Sequence, residues 1–545
     1  MENVFEKVRE LTHKLVSIPS IVGVRGEREI AETIYKELEG MNYFKQNPQY
    51  LYKIPVRNDG LSRFSVAALL KGGKSNKTVI LLGHIDTVGV DEFGNISEYA
   101  FRPEELKQKL QKFILSEEVR RDLNDDRWDF GRGILDMKSG VAANLYVLSL
   151  LSERIHEISG NILFIAAPDE EGNSQGILSV LPFLIDLREK ENLQYIGVIN
   201  TDYTSPRFTG DNNRYIYLGT IGKLLPAFYI VGKETHVGQC FEGLDANLLS
   251  AELIRLIDNN MTLSDEAEGE ITVPPISLKN QDLKREYSVQ TPISAFHYFN
   301  FFTHKMSPKE VLEKLKDVAL RAFDNVLARL NEEYYVYCRR SGLPFSPLPW
   351  QSRVLSFAEI YEIAMDEHPE ELEKALTELD KLNISDEREY SLRVVETVWN
   401  LLGDKDPVII VMFAPPYYPH IYMKGENNIE KMLIKAINEA VGEVQPECEE
   451  KIVIRKFYPY ISDISYLSLT GNHVELMSLI ENMPAWNKKY FLDFDAIKNL
   501  NLPVVNIGPF GKDAHKISER VYTPYSYVTV PKLILSTIKK LIMEG

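Results

Sequence analysis

The sequence predicts an α/β fold built around an open sheet of largely parallel strands. Three short apolar runs rich in β-branched residues suit buried parallel strands, and they cover residues 78–82, 161–167 and 195–200. A helix-like stretch, residues 137–155, lies between the first two runs, as a βαβ crossover requires. Each run is followed within a few positions by an imidazole or carboxylate side chain. Open α/β sheets place their ligands at this carboxyl edge, so we expect a ligand site there.

The length of the chain requires more than one domain. A single hydrophobic core usually stops growing at about 250–300 residues, and this chain has 545. Candidate ligand residues occur near both ends, and the last of them follows an apolar strand at residues 502–507. We therefore predict a discontinuous catalytic domain, residues 1–212 and 424–545, which carries a charged insertion at residues 95–129.

The intervening residues 213–423 are predicted to form an inserted α/β domain. Apolar runs at residues 224–231, 294–302 and 407–413 predict strands, and residues 246–257 and 308–335 predict helices. This alternation of strands and helices is typical of a ferredoxin-like sandwich. Glu and Leu recur at helical spacing within residues 345–405, which predicts a helical insertion.

The composition limits the partners and the location. Lys and Arg number 62 and Asp and Glu 79, so the net charge is −17, which argues against nucleic acid or an anionic membrane as a main partner. The first residues predict an amphipathic helix and no signal peptide, and no apolar run nears the ~18 residues of a transmembrane helix. Cys240, Cys338 and Cys448 show no paired spacing. We therefore expect a reduced, cytoplasmic setting.

Five short segments place His, Asp and Glu near the ends of hydrophobic runs. Each is weak evidence by itself, but together they supply two imidazoles and several carboxylates. That mixed set suits zinc, or cobalt and manganese where oxygen ligands dominate, and it predicts a two-metal hydrolase. The segments are Gly83-His84-Ile85-Asp86, Gly133-Ile134-Leu135-Asp136-Met137-Lys138, Asp169-Glu170-Glu171-Gly172, Thr201-Asp202-Tyr203 and Lys512-Asp513-Ala514-His515-Lys516.

Neighbouring residues in two of these segments are expected to have different roles. Strand alternation points the side chains of His84 and Asp86 the same way, so Asp86 is predicted to hydrogen-bond the ring nitrogen of His84 that does not bind metal. The adjacent carboxylates of Glu170 and Glu171 repel each other unless a cation lies beside them. We expect one of them to bind metal and the other to transfer protons.

In this order the segments resemble the M20 metallopeptidases, which include carboxypeptidase G2-like enzymes, aminoacylases, and the succinyl-diaminopimelate and acetylornithine deacylases. The resemblance covers nearly the whole chain and implies a zinc-peptidase-like catalytic domain, an inserted lid and dimerisation domain, and two divalent ions, zinc by preference. It implies that Glu170 is the general base. The implied metal ligands are His84 and Glu171 on different ions, Asp136 as the bridge, and Asp202 and His515 to complete the two sets.

Further motifs resemble the same family outside the ligand segments. Glu234-Thr235-His236-Val237-Gly238, followed by Asp245-Ala246-Asn247-Leu248, resembles the lid motif in which a His assists catalysis. This implies a catalytic His236, acting within its own subunit or across a dimer. Ile461-Ser462-Asp463-Ile464 resembles a late Ser-Asp turn, and Ser518-Glu519-Arg520-Val521 resembles the Asn-Glu-Arg-Val run after the last His.

Within the family, the length, the Tyr-rich lid and residues 457–463 look most like the arginine-utilisation branch. This implies an amidohydrolase that cleaves a small amino-acid derivative, such as an N-acyl amino acid or an arginine-related compound. A dipeptidase or aminopeptidase is the alternative among enzymes. An alternative of another class is a non-catalytic metal-binding accessory protein of arginine catabolism.

One departure from the family concerns the substrate. Asn300 and Phe302 stand where many M20 enzymes carry Asp-x-Arg on a lid strand, and an Arg there can hold a carboxylate through a bidentate pair. Because Phe302 has no guanidinium, we expect a substrate carboxylate to be bound elsewhere, or an apolar substrate group to lie there.

Overall fold

The computed structural model describes residues 4–471 and 473–542, which form two compact units. Unit 1 contains residues 4–220, 421–469 and 493–542, and unit 2 contains residues 221–420, 470–471 and 473–492. Both units combine strands and helices, so the predicted α/β class is confirmed.

The strands and helices of the described residues are numbered in chain order. The strands are β1 Leu51–Pro55, β2 Phe64–Lys71, β3 Lys77–His84, β4 Trp128–Phe130, β5 Asn161–Ala167, β6 Gln194–Asn200, β7 Arg214–Tyr217, β8 Gly219–Thr220, β9 Gly222–Val231, β10 Glu266–Ala267, β11 Glu270–Ile271, β12 Ile276–Asp282, β13 Ser294–Thr303, β14 Val354–Ser356, β15 Val408–Tyr418, β16 Ile421–Tyr422, β17 Ile452–Arg455, β18 Val504–Asn506, β19 Gly511–Lys512 and β20 Arg520–Tyr522. The helices are α1 Val4–Val16, α2 Gly26–Gly40, α3 Asn42–Gln46, α4 Pro103–Leu110, α5 Glu117–Leu123, α6 Ser139–Glu153, α7 Gln175–Lys190, α8 Ala246–Ile257, α9 Pro308–Ser341, α10 Phe357–Glu367, α11 Pro369–Asp380, α12 Glu387–Leu401, α13 Asn428–Val444, α14 His473–Glu481, α15 Phe494–Leu500 and α16 Val530–Ile542.

Unit 1 is built on a mixed, largely parallel sheet. Its eight strands have the order β1-β2-β5-β3-β6-β18-β7-β17. The four central strands β5, β3, β6 and β18 are mutually parallel, whereas β2 runs antiparallel to β5. Every residue of β5 is buried, as expected for an apolar strand covered on both faces. The three predicted strands at residues 78–82, 161–167 and 195–200 are therefore neighbours in this sheet.

The crossover helix α6 lies in the core of unit 1. α1 and α16 pack against it, together with β3 and β5. Residues Ile134–Glu153 are the only helical segment in the described chain long and apolar enough to cross a membrane, with a mean hydropathy of 1.3. Because 83% of that segment's most apolar window is buried, it has the properties of a core helix.

Unit 2 is built on a five-stranded sheet of order β12-β13-β9-β15-β14, in which only β14 and β15 are parallel. α8 and α9 pack against this sheet. α9 begins at a capping box formed by Ser307 and Glu310 and ends at Gly342, whose φ of 69° suits glycine. The edge strand β12 was not predicted, because its sequence is polar and mostly exposed.

The domain boundaries differ from the prediction by eight residues at position 212, by three at position 423, and by one longer segment. Residues 470–492 were predicted to belong to the catalytic domain, but they lie with unit 2. Here α14 packs against α9, and Asn482 connects two other elements of the unit. Its side-chain oxygen accepts from the Ala358 amide at 3.0 Å and its carbonyl from the Phe413 amide at 2.8 Å.

Candidate metal centre

Three of the predicted ligand segments meet at the carboxyl edge of the unit 1 sheet. His84 is the last residue of β3, Glu170 and Glu171 follow β5, and Asp202 follows β6. Because β5, β3 and β6 are adjacent and parallel, these side chains lie at one edge. The loop before α6 and the loop after β19 bring Asp136 and His515 to the same place.

Asp136 lies at the middle of the cluster. Its Oδ1 is 2.9 Å from His84 Nε2, and its Oδ2 is 3.0 Å from His515 Nε2. His515 Nε2 is also 2.9 Å from Glu171 Oε1. Two groups of ligand atoms therefore share Asp136, with His84 and Asp202 in one and Glu171 and His515 in the other, and the atoms within each group lie within 4.8 Å of one another. The five residues that the resemblance implies as metal ligands therefore lie together, and their binding of cations stays a prediction.

The segment of Asp136 is fixed by a buried ion pair. Glu519 accepts from the main-chain amides of Leu135 at 3.2 Å and Asp136 at 3.4 Å. Arg132 donates to the other oxygen of Glu519 at 2.5 Å, and both side chains are 1% exposed. The Ser-Glu-Arg-Val run thus acts on the segment of Asp136 through Glu519, a role that sequence reasoning had not assigned.

Asp202 is held by the neighbouring strand β18. The Asn506 side chain accepts from the Asp202 amide at 2.9 Å and donates to the Asp202 carbonyl at 2.8 Å. Gly508 lies against the same carbonyl, and a Cβ at that position would meet the oxygen at 1.7 Å. A residue larger than glycine would therefore displace Asp202.

Asp86 contacts a different group from the one predicted. Its Oδ1 lies 3.6 Å from His84 Nδ1, which is longer than a hydrogen bond. The two carboxylate oxygens accept instead from the amides of Glu170 at 3.1 Å and Glu171 at 2.9 Å. Asp86 therefore anchors the loop of the two glutamates as well as lying beside the imidazole.

Glu170 is outside both ligand groups. Its Oε2 is 4.0 Å from His84 Nε2, and its side chain is 11% exposed. Burial raises the pKa of Glu170 well above its usual range, and the charges of Asp202 and Asp463 add to this effect, whereas His84 opposes it.

The electrostatics of the centre suit added positive charge. Burial would lower the pKa of His515, but Asp136 and Glu171 outweigh burial and raise it to about 10. Burial would also lower the pKa of His84, but Asp136 and Asp86 outweigh burial and raise it well above its usual range. Burial and the charge of Asp136 raise the pKa of Asp202 to about 7 and also raise that of Glu171.

Asp463 adds a further carboxylate that had been noted in a motif but given no role. It is 4% exposed, and neither of its oxygens has a hydrogen-bond partner. Burial raises its pKa well above the usual range, and Asp86 and Asp202 add to this rise. No linear pattern could show that a residue 261 positions after Asp202 faces the same centre.

The residues present fit two divalent cations. Imidazole nitrogens and carboxylate oxygens converge within each group, and this donor set is the one that zinc, cobalt and manganese accept. Buried carboxylates are costly unless they are paired or coordinate metal. Cations between these groups would offset that cost.

His236 lies in unit 2, on the loop between β9 and α8. Its side chain is exposed, and its Nδ1 accepts from the Gly238 amide at 3.0 Å. Because Nδ1 is an acceptor, the neutral ring carries its proton on Nε2. The side chain therefore presents an N–H donor to its surroundings.

Asn300 and Phe302 lie on β13, where strand alternation places them on one face with Tyr298. The position opposite Phe302 on β9 is Lys223. With Phe296, which the same alternation places there, the face carries an amide, three rings and a neighbouring ammonium group, with no guanidinium on the strand itself.

Comparison with known proteins shows the family of the chain. Residues 80–521 match the family described as Peptidase family M20/M25/M40. The chain is 37% identical to Protein RocB of Bacillus subtilis (strain 168) over 546 residues, which cover 99% of this chain and 96% of RocB.

Two solved structures share the fold. Aminopeptidase PepT from Bacillus cereus ATCC 10987 has a TM-score of 0.54 at 12% identity, over 98% of each chain. The Bacillus subtilis YXEP protein, described as a dinuclear metal binding peptidase from the M20 family, has a TM-score of 0.51 at 12% identity, over 98% of this chain and 97% of that one. With a family match over most of its length and a full-length relative in RocB, this chain belongs to the M20/M25/M40 metallopeptidase family.

Proposed function

We propose that the protein is a metal-dependent amidohydrolase that cleaves an amide bond of a small amino-acid derivative, with Glu170 as the general base. The observation that carries this proposal is the geometry of Asp136, whose two oxygens face two different histidines. A carboxylate in that position can bridge two cations. In addition, the buried side chain of Glu170 lies beside the cluster but outside both ligand groups, and it can transfer protons.

The proposed ligands follow the two groups. His84 and Asp202 would hold one cation, Glu171 and His515 the other, and Asp136 both. Zinc is the preferred ion and cobalt or manganese are alternatives, since all three accept nitrogen and oxygen donors. Two such cations, when bound, lower the pKa of water and polarise a carbonyl oxygen.

Glu170 is suited to hold a proton during the reaction. Its carboxylate lies beside the cluster but in neither ligand group, so it is free to take a proton, and its 11% exposure keeps it away from competing solvent. In the proposed reaction Glu170 takes this proton and then gives it to the nitrogen of the leaving amine. The new C–O bond forms first and gives a tetrahedral state. The C–N bond then breaks as the leaving nitrogen takes the proton, so the products are a carboxylic acid and an amine.

His236 is proposed to stabilise the transition state. The main-chain amide of Gly238 fixes the proton of the neutral ring on Nε2, so the ring can donate to an oxyanion. A carbonyl oxygen gains negative charge only as the tetrahedral state forms, and such a bond therefore acts mainly on turnover.

The substrate proposed is an N-acyl amino acid or an arginine-related amide. Full-length similarity to RocB and the resemblance to the arginine-utilisation branch support it. The apolar ring of Phe302 and the amide of Asn300 favour a substrate that does not need an arginine on β13 to hold its carboxylate.

Unit 2 is also proposed to pair with unit 2 of a second copy through β12. One edge of β12 pairs with β13, and among the described residues the other edge has no strand partner. Ile276 and Leu278 on this strand are 37% and 52% exposed. Sedimentation equilibrium should show a dimer that the substitution Leu278→Lys weakens; a monomer at all concentrations would reject the pairing.

The reaction is tested by mass spectrometry after loading with zinc, cobalt or manganese. The panel contains dipeptides and N-acyl amino acids, including arginine and ornithine derivatives. We expect cleavage of an acylated amino acid or an arginine-related amide that stops when a chelator is added. Cleavage of dipeptides alone would make the protein a dipeptidase or aminopeptidase, and no cleavage with both cations bound would favour the non-catalytic alternative.

A further inference from the structure

We infer that Arg63 is a positioning residue that holds the loop of Glu170 and Glu171 in place, acting through Asp169. The inference rests on the proposed function, because it depends on the roles given to those two glutamates. Arg63 lies 106 positions before Asp169 and belongs to none of the ligand segments, so the sequence alone does not connect it with the centre.

The sheet topology brings Arg63 to the glutamate loop. β2 runs antiparallel to β5, with Val66 opposite Ala166. The first residues of β2 therefore lie beside the carboxyl end of β5, where the Asp169 loop begins. Arg63 immediately precedes β2, and the turn before it brings Asp59 back to the guanidinium.

The Arg63 guanidinium joins three carboxylates that are almost inaccessible to water. Its Nη1 donates to Asp169 Oδ1 at 2.7 Å and to Glu27 Oε2 at 2.9 Å, and its Nε donates to Asp59 Oδ1 at 3.1 Å. The Arg63 side chain is 10% exposed, and the three carboxylates are at most 6% exposed. Charge-assisted bonds in such a setting are strong and directional, and the planar guanidinium reaches its partners from two separate nitrogens, which a lysine ammonium cannot do.

Asp169 transmits this contact to the turn that precedes α7. Its second oxygen accepts from the amides of Asn173 at 3.3 Å and Gln175 at 3.0 Å, and its carbonyl accepts from Ser174 at 2.7 Å. Asp169 has a φ of 73°, which is unfavourable for a residue other than glycine. The contacts of its side chain hold it in this conformation, which sets the direction in which the next two residues leave.

Glu27 extends the same network to the loop that follows β3. Its Oε2 accepts from the Gly23 amide at 2.7 Å. The adjoining segment pairs with that loop, because the Val22 amide donates to the Thr87 carbonyl at 2.8 Å and the Thr87 amide to the Ser20 carbonyl at 2.9 Å. This loop also carries Asp86, which accepts from the amides of Glu170 and Glu171. The glutamates are thus held from two sides, by Asp86 directly and by Arg63 through Asp169.

The test is a cobalt titration of the purified cation-free protein, followed by visible absorption and calorimetry, with turnover measured on the substrate found in the panel. Arg63→Lys keeps the positive charge but replaces the planar guanidinium, with its several donor nitrogens, by a single ammonium nitrogen. We expect about a 10- to 100-fold loss of affinity for one cation, the one proposed to bind Glu171 and His515, with the other cation bound as in wild type. We expect kcat to fall by a similar factor and KM to change less than about twofold, since the glutamates act in the chemical step.

Asp59→Asn is the matched control. It disturbs the same guanidinium from the side of Nε and leaves the contact of Nη1 with Asp169 in place. We expect cation affinities and kcat within about twofold of wild type, even if the thermal midpoint falls. If Asp59→Asn lost as much cation affinity and kcat as Arg63→Lys, the effect of Arg63 would be one of general stability. That result would overturn the inference.

Asp169→Asn weakens the same contact by removing its negative charge, without changing Arg63, so it replaces Arg63→Lys should that variant fail to fold. It should show the same selective loss of one cation. In the double variant Arg63→Lys/Asp169→Asn, the loss of cation affinity should be much smaller than the sum of the two single losses. Both substitutions act on the same contact. Wild-type cation affinities in both single variants would overturn the inference while leaving amide hydrolysis intact, whereas failure of the proposed function would appear as no hydrolysis by the wild-type protein.

Discussion

The proposed ligand residues of unit 1 and the proposed donor His236 of unit 2 are held in opposite ways. His84, Asp136 and Asp202 are at most 5% exposed. His84 ends strand β3, and further side chains hold the segments of Asp136 and Asp202 in place. His236 is exposed and lies on a loop held by a few main-chain bonds. The Val237 amide donates to the Val289 carbonyl at 2.9 Å, and the Thr235 amide donates to the Thr291 hydroxyl at 3.0 Å.

This difference indicates which of the reacting groups need rigid support from the fold. Metal ligands must hold their geometry in every state of the protein, so burial and supporting hydrogen bonds suit them. A donor that stabilises charge only in the transition state needs the right tautomer and the right reach, and an exposed loop can provide both. His515 is intermediate, because its side chain is 46% exposed and its φ is 64°, at a sharp turn that brings Nε2 onto Asp136.

The largest expected effect is in the buried region, at Glu170. Glu170→Gln keeps the shape of the side chain and removes the base, so we expect kcat to fall about 10²- to 10⁴-fold. Both cations should remain, because Glu170 belongs to neither ligand group. Steady-state kinetics and elemental analysis measure these two quantities. The exposed Glu39→Gln serves as the control, and a Glu170→Gln protein with wild-type turnover would remove Glu170 from the mechanism.

The next effect tests the exposed side of the comparison. His236→Ala should lower kcat about 10²- to 10³-fold, as expected for loss of an oxyanion donor. Cation content and thermal midpoint should stay unchanged, because the side chain is exposed and contacts no ligand. His156→Ala, at an exposed histidine of unit 1, is the matched control. A loss smaller than about threefold would show that His236 takes no part in the reaction.

A third prediction concerns the stability of the cation-free protein as a function of pH. The pKa of Asp202 is about 7 in the folded protein, against 3.8 ordinarily. Between these values the folded state keeps a proton that the unfolded state has released, so the contribution of Asp202 to stability falls as pH rises from about 4 to 7. We expect a loss on the order of 2–4 kcal/mol in urea unfolding, which zinc should reverse.

The variant Asp202→Asn isolates this effect, since it removes the titrating group. Its free energy of unfolding should change less than that of the wild type over the same pH interval. Identical pH slopes in the two proteins would show that Asp202 does not titrate in this range.

The smallest effect concerns the support of the His236 loop. The ring of Phe241 lies 4.9 Å from that of Tyr334 and 5.5 Å from that of Tyr337, both on α9. Aromatic pairs of this kind contribute about 0.5–1.5 kcal/mol, so Phe241→Ala should lower kcat about two- to tenfold without changing cation affinity. Phe241→Leu keeps apolar packing at this position, so its kcat should fall less than that of Phe241→Ala. An effect on cation affinity would contradict the separation of the two regions.

The sequence predicted the elements that carry a strong apolar period. β5 and α8 have the predicted bounds, and β3, β6, β9 and β13 differ from prediction by one or two residues at an end. Among the proposed ligands, His84, Glu171 and Asp202 lie at or just after the ends of such strands, whereas Asp136 lies before α6 and His515 after β19. β12 could not be predicted, since a polar edge strand has no apolar alternation to detect.

What the sequence could not predict are contacts between distant residues. Asp86 was expected to bond the ring of His84, but its oxygens accept from two amides on the next loop. Glu519 and Asp463 reach the centre from separate parts of the chain, and Arg63 contacts Asp169 in the loop of the two glutamates. Their roles depend on the order of strands in the sheet, which no local pattern contains.

The most direct test of a bridged two-cation centre is anomalous diffraction from crystals of the zinc-loaded protein. The account predicts two zinc peaks about 3.5–4 Å apart, with the Asp136 carboxylate between them, His84 and Asp202 on one and Glu171 and His515 on the other. A single peak, or two peaks that do not share Asp136, would contradict it.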